Sequence, residues 1–257
     1  MNPIKAAKAG IFKGAWALGY EVRRRQDPPP HRLEVDPSYA ATIASVRNYT
    51  MTPVEKIAAL VDATRYIARE KVPGAFVECG VWRGGSMMAA ARTLLEMGEI
   101  RDLYLFDTYA GMTEPEEVDV DLRGRTAKDR YLASAANGYN EWCYASLEDV
   151  RQNLLSTGYP KERCHFIQGD VVQTLPHKGI GEIAMLRLDT DWYESTLHEL
   201  NTLYPDISVG GVLIIDDYGY WEGCKKAVDE YFAEGGPLLV AIDAIAKIAV
   251  KTESHKR

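Results

Sequence analysis

Two apolar runs of strand length end abruptly in carboxylates. Leu186-Arg187-Leu188 stops at Asp189-Thr190-Asp191-Trp192-Tyr193, and Ile214-Ile215 stops at Asp216-Asp217. A strand inside a parallel sheet is covered on both faces, so it reads as a continuous apolar stretch. Ligands of open α/β sheets sit outside the carboxyl ends of such strands. If these two strands are neighbours, up to four aspartates meet at one rim. Asp is rarely buried without a partner, and clustered carboxylates raise one another's pKa. The simplest partner is a divalent cation.

The alternation around these runs predicts an α/β chain. Strands are expected at Ala75–Cys79, Leu103–Asp107, Cys164–Gln168, Ile183–Asp189 and Val212–Asp216. Two last strands, near Leu238–Ile242 and Lys247–Val250, are close enough to pair antiparallel. Helices are expected from Ser86 to about Met97, Ser146 to Leu155, Ser195 to Leu203 and Cys224 to Ala233. Thr52-Pro53-Val54-Glu55 predicts a further helix start, with Thr52 as cap, Pro at the first helical position and Glu three after the cap. Its apolar face, Val54, Ile57, Ala58, Val61, Thr64 and Ile67, runs to about Glu70. Residues 109–142 break the alternation and read as a lid-like insertion after the second strand.

Residues 1–50 read as an N-terminal helical arm, interrupted by the stiff connector Asp27-Pro28-Pro29-Pro30, ahead of a catalytic domain at 51–257. The arm is basic, with Lys5, Lys8, Lys13, Arg23, Arg24, Arg25 and Arg32 against Glu21 and Asp27, whereas the whole chain carries a formal charge of −7. That acidic balance argues against nucleic acid as a partner. The arm makes a homo-oligomer, dimer or higher, plausible. No stretch approaches the 18 or so apolar residues of a membrane span, and Lys13 interrupts the only apolar N-terminal segment. Neither a span nor a signal peptide is expected, and the location expected is cytoplasmic. Cys79, Cys143, Cys164 and Cys224 have no zinc-ligand spacing and read as free thiols.

The turn Gly80-Val81-Trp82-Arg83-Gly84-Gly85 joins a strand to a helix, and its glycines let the backbone approach a ligand. Trp82 stands where G-x-G-x-x-G needs its second glycine beside a pyrophosphate, which weakens a dinucleotide reading. A turn suited to an adenosine-bearing ligand without pyrophosphate remains. Asp107 ends the next strand, where a carboxylate can accept ribose hydroxyls, and Gly169-Asp170 ends the third.

These segments resemble the macrocin O-methyltransferase (TylF-type) family. The resemblance rests on Val77-Glu78-Cys79-Gly80-Val81-Trp82-Arg83-Gly84-Gly85-Ser86-Met87-Met88, Tyr49-Thr50-Met51-Thr52 and Phe106-Asp107-Thr108-Tyr109-Ala110-Gly111-Met112. It rests also on Arg187-Leu188-Asp189-Thr190-Asp191-Trp192-Tyr193-Glu194-Ser195-Thr196 and Asp216-Asp217-Tyr218, and covers roughly residues 45–235. It implies a class I methyltransferase, Rossmann-like fold with a seven-stranded, mostly parallel sheet and an antiparallel last strand. The activity it implies is methylation of a sugar hydroxyl, on a glycosylated natural product or nucleotide-linked sugar, dependent on S-adenosylmethionine and a divalent metal. By the same resemblance Glu78, Gly80 and Ser86 line the methionine end of the cofactor. Asp107 holds the ribose, Asp170 the adenine, and Thr50 and Met51 close over the site. Asp189, Asp216 and Asp217 hold the metal and Asp191 is the general base, although Thr190 stands where relatives often carry glycine.

All-carboxylate ligation suits Mg²⁺ or Mn²⁺ rather than zinc. Three other functions compete. A nicotinamide-dependent oxidoreductase lacks the second glycine and a Tyr-x-x-x-Lys relay, a metal-dependent hydrolase leaves the glycine turn without a task, and a non-catalytic binding module leaves the four aspartates unexplained.

Overall fold

The computed structural model describes residues 31–252, so the basic segment and its proline connector lie outside the described residues. From Arg32 onward the chain forms one compact unit. Two short helices, α1 (Arg32–Val35) and α2 (Ala40–Val46), precede the long α3 (Val54–Glu70). The alternating body follows: β1 (Ala75–Cys79), α4 (Gly85–Glu96) and β2 (Leu103–Asp107), then an insertion containing α5 (Ala127–Ala133) and the hairpin β3 (Ala135–Ala136)–β4 (Tyr139–Asn140). Next come α6 (Leu147–Leu155), β5 (Cys164–Gln168), α7 (Val171–Thr174), β6 (Ile183–Leu188), α8 (Tyr193–Leu203), β7 (Ile207–Ile215), α9 (Glu222–Tyr231), β8 (Val240–Ala241) and β9 (Lys247–Val250).

The seven strands lie in the order β5-β2-β1-β6-β7-β9-β8. The first five are mutually parallel, and β9 runs antiparallel to both β7 and β8. The chain winds outward from β1 through β2 to β5, then returns to the other side of β1 as β6. The β1/β6 boundary is therefore the switch point at which an α/β sheet opens a crevice.

Alternate side chains of each strand enter opposite cores. Phe76, Leu103, Leu105, Met185 and Ile214 face a layer built from Ile43, Ile57, Val61, Ile67, Met87 and Leu94. Val77, Cys79, Phe106, Leu186, Leu188 and Ile215 face a second layer containing Leu200, Leu203, Trp221 and Val228. Each large aliphatic side chain so buried contributes roughly 1.5–3 kcal/mol. Ile43 and Val46 of α2 belong to the first core, so residues 32–50, read from sequence as part of the arm, are seated on the body.

The helix expected after Thr52-Pro53 forms, but its cap differs. Pro53 is the flanking residue and no side chain caps the helix. The Thr52 hydroxyl instead accepts from Arg187 Nη2 at 3.3 Å, and that buried cation outcompetes the backbone amides. Strand β7 begins five residues earlier than the apolar run Val212–Ile215 indicates, because Ile207 pairs with Ile183 across a register shift. All four cysteines are free. No helix among the described residues is long and apolar enough to cross a membrane.

Candidate active site

In register, Cys79 faces Leu188, which faces Ile215, so Gly80, Asp189 and Asp216 are the next residues on three adjoining strands. The ladder runs on across these tips. Asp189 N donates to Cys79 O at 2.8 Å, and Asp216 N to Leu188 O at 2.9 Å. On the other side Gly80 N donates to Phe106 O at 2.9 Å, and Gly169 N to Asp107 O at 3.0 Å. All five parallel strands therefore end at one level, and a cleft opens above them.

That cleft, about 320 Å³, is bounded by Tyr49–Pro53, the glycine turn, Asp107, Gly169-Asp170, the Asp189–Asp191 turn and Asp216-Asp217. Its size falls within the range of small-molecule sites, roughly 300–1,000 Å³. Gly80 has φ +79, and a Cβ there would lie 2.0 Å from the Asp189 carbonyl oxygen, so only glycine lets the two tips close. Gly85 opens α4 under the Tyr49–Thr50 segment, and its N–H donates to Tyr49 O at 3.0 Å. A Cβ at Gly85 would lie 2.5 Å from that oxygen. Arg83 fastens the same segment, donating to Asn48 O at 2.8 Å while Asp149 accepts from its Nε at 3.0 Å.

At the glycine-turn end, Asp107 is part of the backbone scaffold as well as the wall. Its Oδ2 accepts the N–H groups of Val81 at 2.7 Å and Trp82 at 3.1 Å, and Oδ1 accepts that of Tyr109 at 2.7 Å. Trp82 takes φ +45 under this constraint. Burial raises the Asp107 carboxyl, and the three amides oppose that shift. Asp170 caps α7 through Val172 N at 3.0 Å and borders the cleft. Ser86, Thr50 and Met51 border it too.

Glu78 does not reach the cleft. It is 1% exposed, and its Oε1 accepts from Arg187 Nη1 at 2.6 Å. Its expected place at the methionine end is thus exchanged for a place beneath the tips. The strand alternation accounts for this: Val77 and Cys79 face the second core, so Glu78 between them shares the face of Phe76 and points into the layer under α3. Burial pushes the Glu78 carboxyl up to about 7, against the pull of Arg187.

Above Arg187 the four aspartates meet. Carboxylate oxygens of Asp189, Asp191 and Asp217 all lie within 4.8 Å of one another. Asp216 stands beside them but is engaged differently, since Lys56 Nζ donates to both its Oδ2 and its carbonyl oxygen at 3.0 Å. Arg187 Nη2 lies 3.1 Å from its Oδ1, and Arg187 Nη1 lies 2.8 Å from Asp189 Oδ2. Burial raises Asp216, but Arg187 and Lys56 outweigh it and hold the carboxyl below the usual range. Burial lifts Asp189 and Asp217 well above that range, with the neighbouring carboxylates adding to the rise. Asp191 is pushed up to about 7 by burial first and Asp189 second.

Sequence reasoning missed Lys56 and Arg187 as parts of this site. Lys56 sits on the buried face of α3, where a lysine is out of place unless paired, and Arg187 interrupts an otherwise apolar strand. Both anomalies are visible in the sequence. Asp191 has φ +72, and a left-handed residue other than glycine costs about 1–2 kcal/mol. Thr190, in the expected glycine position, does not need that conformation.

The sequence profile of the macrocin-O-methyltransferase (TylF) family matches residues 33–250. Demethyldecarbamoylnovobiocin O-methyltransferase of Streptomyces niveus is 36% identical over 188 residues, 72% of this chain and 68% of the relative. An 8-demethyl-8-(2,3-dimethoxy-alpha-L-rhamnosyl)-tetracenomycin-C 4'-O-methyltransferase of Streptomyces olivaceus is 35% identical over 71% of this chain and 67% of its own length. The structure of the O-methyltransferase NovP matches with a TM-score of 0.69 at 33% identity, covering 80% of this chain and 83% of that one. A calicheamicin methyltransferase shares the fold, with a TM-score of 0.61 at 17% identity over 88% of this chain and 99% of that one. The chain belongs to the macrocin-O-methyltransferase (TylF) family and is an S-adenosylmethionine-dependent O-methyltransferase with the class I fold.

Proposed function

We propose that the acceptor is a sugar hydroxyl on a glycosylated small molecule and that Mg²⁺, with Mn²⁺ as a substitute, is held by Asp189, Asp216 and Asp217. The observation that carries the reading is the convergence of four aspartates from two adjoining strand tips, beside a cleft whose other end carries the glycine turn. The rhamnosyl group in the name of the Streptomyces olivaceus relative supports a sugar as acceptor. Family membership sets aside the oxidoreductase, hydrolase and binding-module alternatives.

The donor set fits a hard divalent cation. Asp217 Oδ2 is buried without a hydrogen-bond partner among the described residues, and an unpaired buried polar oxygen is costly. Every candidate ligand is a carboxylate oxygen, the set preferred by Mg²⁺ and Mn²⁺. When bound, the donor would supply a sulfonium methyl group, and an ion held by Asp189, Asp216 and Asp217 would lower the pKa of the acceptor hydroxyl. Asp191, next to Asp189 and Asp217, is then placed to take the hydroxyl proton. A general base works best with a pKa near the operating pH; burial lifts Asp191 to about 7 without the ion and opposes the ion's pull downward. Much of the remaining acceleration comes from positioning two reactants in one cleft. Asp107 and Asp170, at the adjoining strand ends, are the candidates for the ribose and adenine of the donor, with Gly80 and Ser86 toward its methionine and Thr50 and Met51 over it.

Charge favours a finished, uncharged glycoside over a nucleotide-linked sugar. Six aspartates border the cleft against Lys56, which is committed to Asp216. Three of the four basic residues of the insertion are used elsewhere: Arg125 pairs with Asp121, Lys128 with Glu114, and Arg130 lies over the Trp142 ring, while Arg123 does not border the cleft. A diphosphate entering this cleft would meet six carboxylates and, among the lining side chains, only the already paired Lys56.

The test is methyl transfer from labelled S-adenosylmethionine to a panel of deoxysugar glycosides and nucleotide-sugars, with and without EDTA. The expected result is transfer to a neutral glycoside that stops on chelation and resumes with Mg²⁺. Transfer that ignores chelation would remove the ion from the mechanism, and a preference for nucleotide-sugars would overturn the acceptor.

A further inference from the structure

A fifth acidic side chain lies under the aspartate-bearing turn, and the chemistry above gives it no task. Glu199, on the inner face of α8, is 0% exposed. It shares that face with Leu200 and Leu203, where an apolar side chain would be the ordinary occupant. Its Oε1 accepts from Thr190 Oγ1 at 3.0 Å. Among the described residues no hydrogen bond reaches its buried Oε2. Burying a carboxyl in such a place is costly, and only its hydrogen bonds offset the cost. Burial pushes its carboxyl well above the usual carboxylate range.

Thr190 lies between Asp189 and Asp191. The turn is closed by Trp192 N donating to Thr190 O at 2.9 Å and by Asp189 N donating to Cys79 O at 2.8 Å. Those bonds fix its two ends. The residue that must adopt the left-handed conformation is Asp191, and its side chain enters the cleft. From below, Arg187 Nη1 lies 2.8 Å from the Asp189 carboxylate, and the Thr190 hydroxyl, donating to Glu199, anchors the middle of the turn to α8.

We infer that Glu199 is a positioning residue for methyl transfer: through the Thr190 hydroxyl it locks the Asp189-Thr190-Asp191 turn so that Asp191 is presented to the acceptor hydroxyl. The inference rests on the proposed role of Asp191 as base. A glycine in place of Thr190 would leave the turn free to move. The Thr190–Glu199 pair supplies rigidity by a side-chain bond from a different element, nine residues away on a helix.

The experiment compares kcat, the KM values for donor and acceptor, and thermal midpoints for Thr190→Val, Glu199→Leu, the double variant, Thr190→Ser, Glu199→Gln and Asp191→Asn. Misplacing a reacting group by about 1 Å can cost on the order of 100-fold. Thr190→Val and Glu199→Leu are therefore expected to lower kcat by roughly 10- to 100-fold, with donor KM within about twofold of the parent. The double variant should fall no further than the worse single one, because both remove the same bond. Thr190→Ser and Glu199→Gln, which keep the bond, should recover most of the rate. If Thr190→Val keeps kcat within about twofold of the parent while Asp191→Asn loses about 100-fold or more, the positioning role is overturned and the base assignment survives. Losses confined to thermal stability, or additive in the double variant, overturn it as well. An unaffected Asp191→Asn overturns the base itself and the positioning role with it.

Discussion

Arg187 Nη1 lies 2.6 Å from Glu78 Oε1, with both side chains sealed beneath the strand tips at 4% and 2% exposure. The same guanidinium faces Asp189 and Asp216, so one cation on β6 ties β1 to β7 directly under the proposed ion. A bidentate, always-charged fork suits this place better than lysine would. Arg187→Met leaves three carboxylates without their central cation. Breaking a buried ion pair on one side costs about 3–5 kcal/mol. Denaturant unfolding should show a loss of at least that order, and Glu78→Gln, which keeps a hydrogen-bond acceptor, should lose less. Equal effects from the two would mean that Arg187 is not the hub.

Gly80→Ala tests the closure of β1 on β6. The added Cβ would lie 2.0 Å from the Asp189 carbonyl oxygen, whereas at Gly98 a Cβ meets nothing within 4 Å. Both glycines have positive φ, +79 and +69, so both substitutions carry the backbone penalty of about 1–2 kcal/mol. Gly98→Ala should show that penalty alone and retain methyl transfer. Gly80→Ala should also lose donor binding, measured by calorimetry, because the Asp189 tip must move.

How much of this was legible beforehand differs by element. The strands at Ala75–Cys79 and Leu103–Asp107 end where the apolar runs end, since burial on both faces of a parallel sheet favours apolar side chains, and the half-buried edge strand Cys164–Gln168 is bounded as its shorter run indicates. The adjacency of the tips followed from the family resemblance and matches the strand order found. The small elements of the insertion, α5 and the β3–β4 hairpin, carry too short a pattern to register. The Thr52 cap was misread because its competitor, Arg187, is 135 residues away. Lys56 to Asp216 spans 160 residues, and a local pattern cannot convey such a pairing. Glu199 carries no local signal, and only the packing of its helix turns it inward.

Metal-free protein should become less stable as pH rises. Asp191 moves from an ordinary 3.8 to about 7 in the folded chain, and Asp189 and Asp217 are also raised, all chiefly by burial. An acid with a raised folded-state pKa binds more protons folded than unfolded, so stability is lost as pH climbs through the interval between the two values. For Asp191 that interval runs from about 4 to about 7. Asp216 is shifted the other way and loses its contribution only at lower pH. A bound divalent cation favours the ionised form and removes the penalty. Thermal midpoints in EDTA should decline from about pH 5 to about pH 8, while the increment from added Mg²⁺ grows over the same range. Midpoints that are flat in EDTA, with a constant Mg²⁺ increment, would contradict the raised carboxylates.

The insertion is fastened to the start of α8, just after the Asp189–Asp191 turn, through Asp119. This residue is 0% exposed, and its Oδ1 accepts the N–H of Tyr193, the first residue of α8, at 2.9 Å. Its Oδ2 accepts the Glu116 N–H at 2.8 Å. Helix α8 has no side-chain cap of its own, so a carboxylate from the insertion supplies one, favourably placed at the positive end of the helix dipole. Trp192 strengthens the joint, its ring lying 5.5 Å from Trp142 and 5.0 Å from Trp221, and its Nε1 donates to Thr113 O at 3.1 Å. Thr113 and Met112 border the cleft, so the same joint sets the insertion's wall along it, on the side proposed for the acceptor. Asp119→Ala should cost about 1–2 kcal/mol, the loss of a good cap, and should raise the acceptor KM by more than the donor KM. Asp119→Asn, which can still accept, should keep most of the stability and most of the acceptor affinity. A rise in donor KM alone would show that the insertion serves the cofactor end of the cleft, and that substrate choice lies elsewhere.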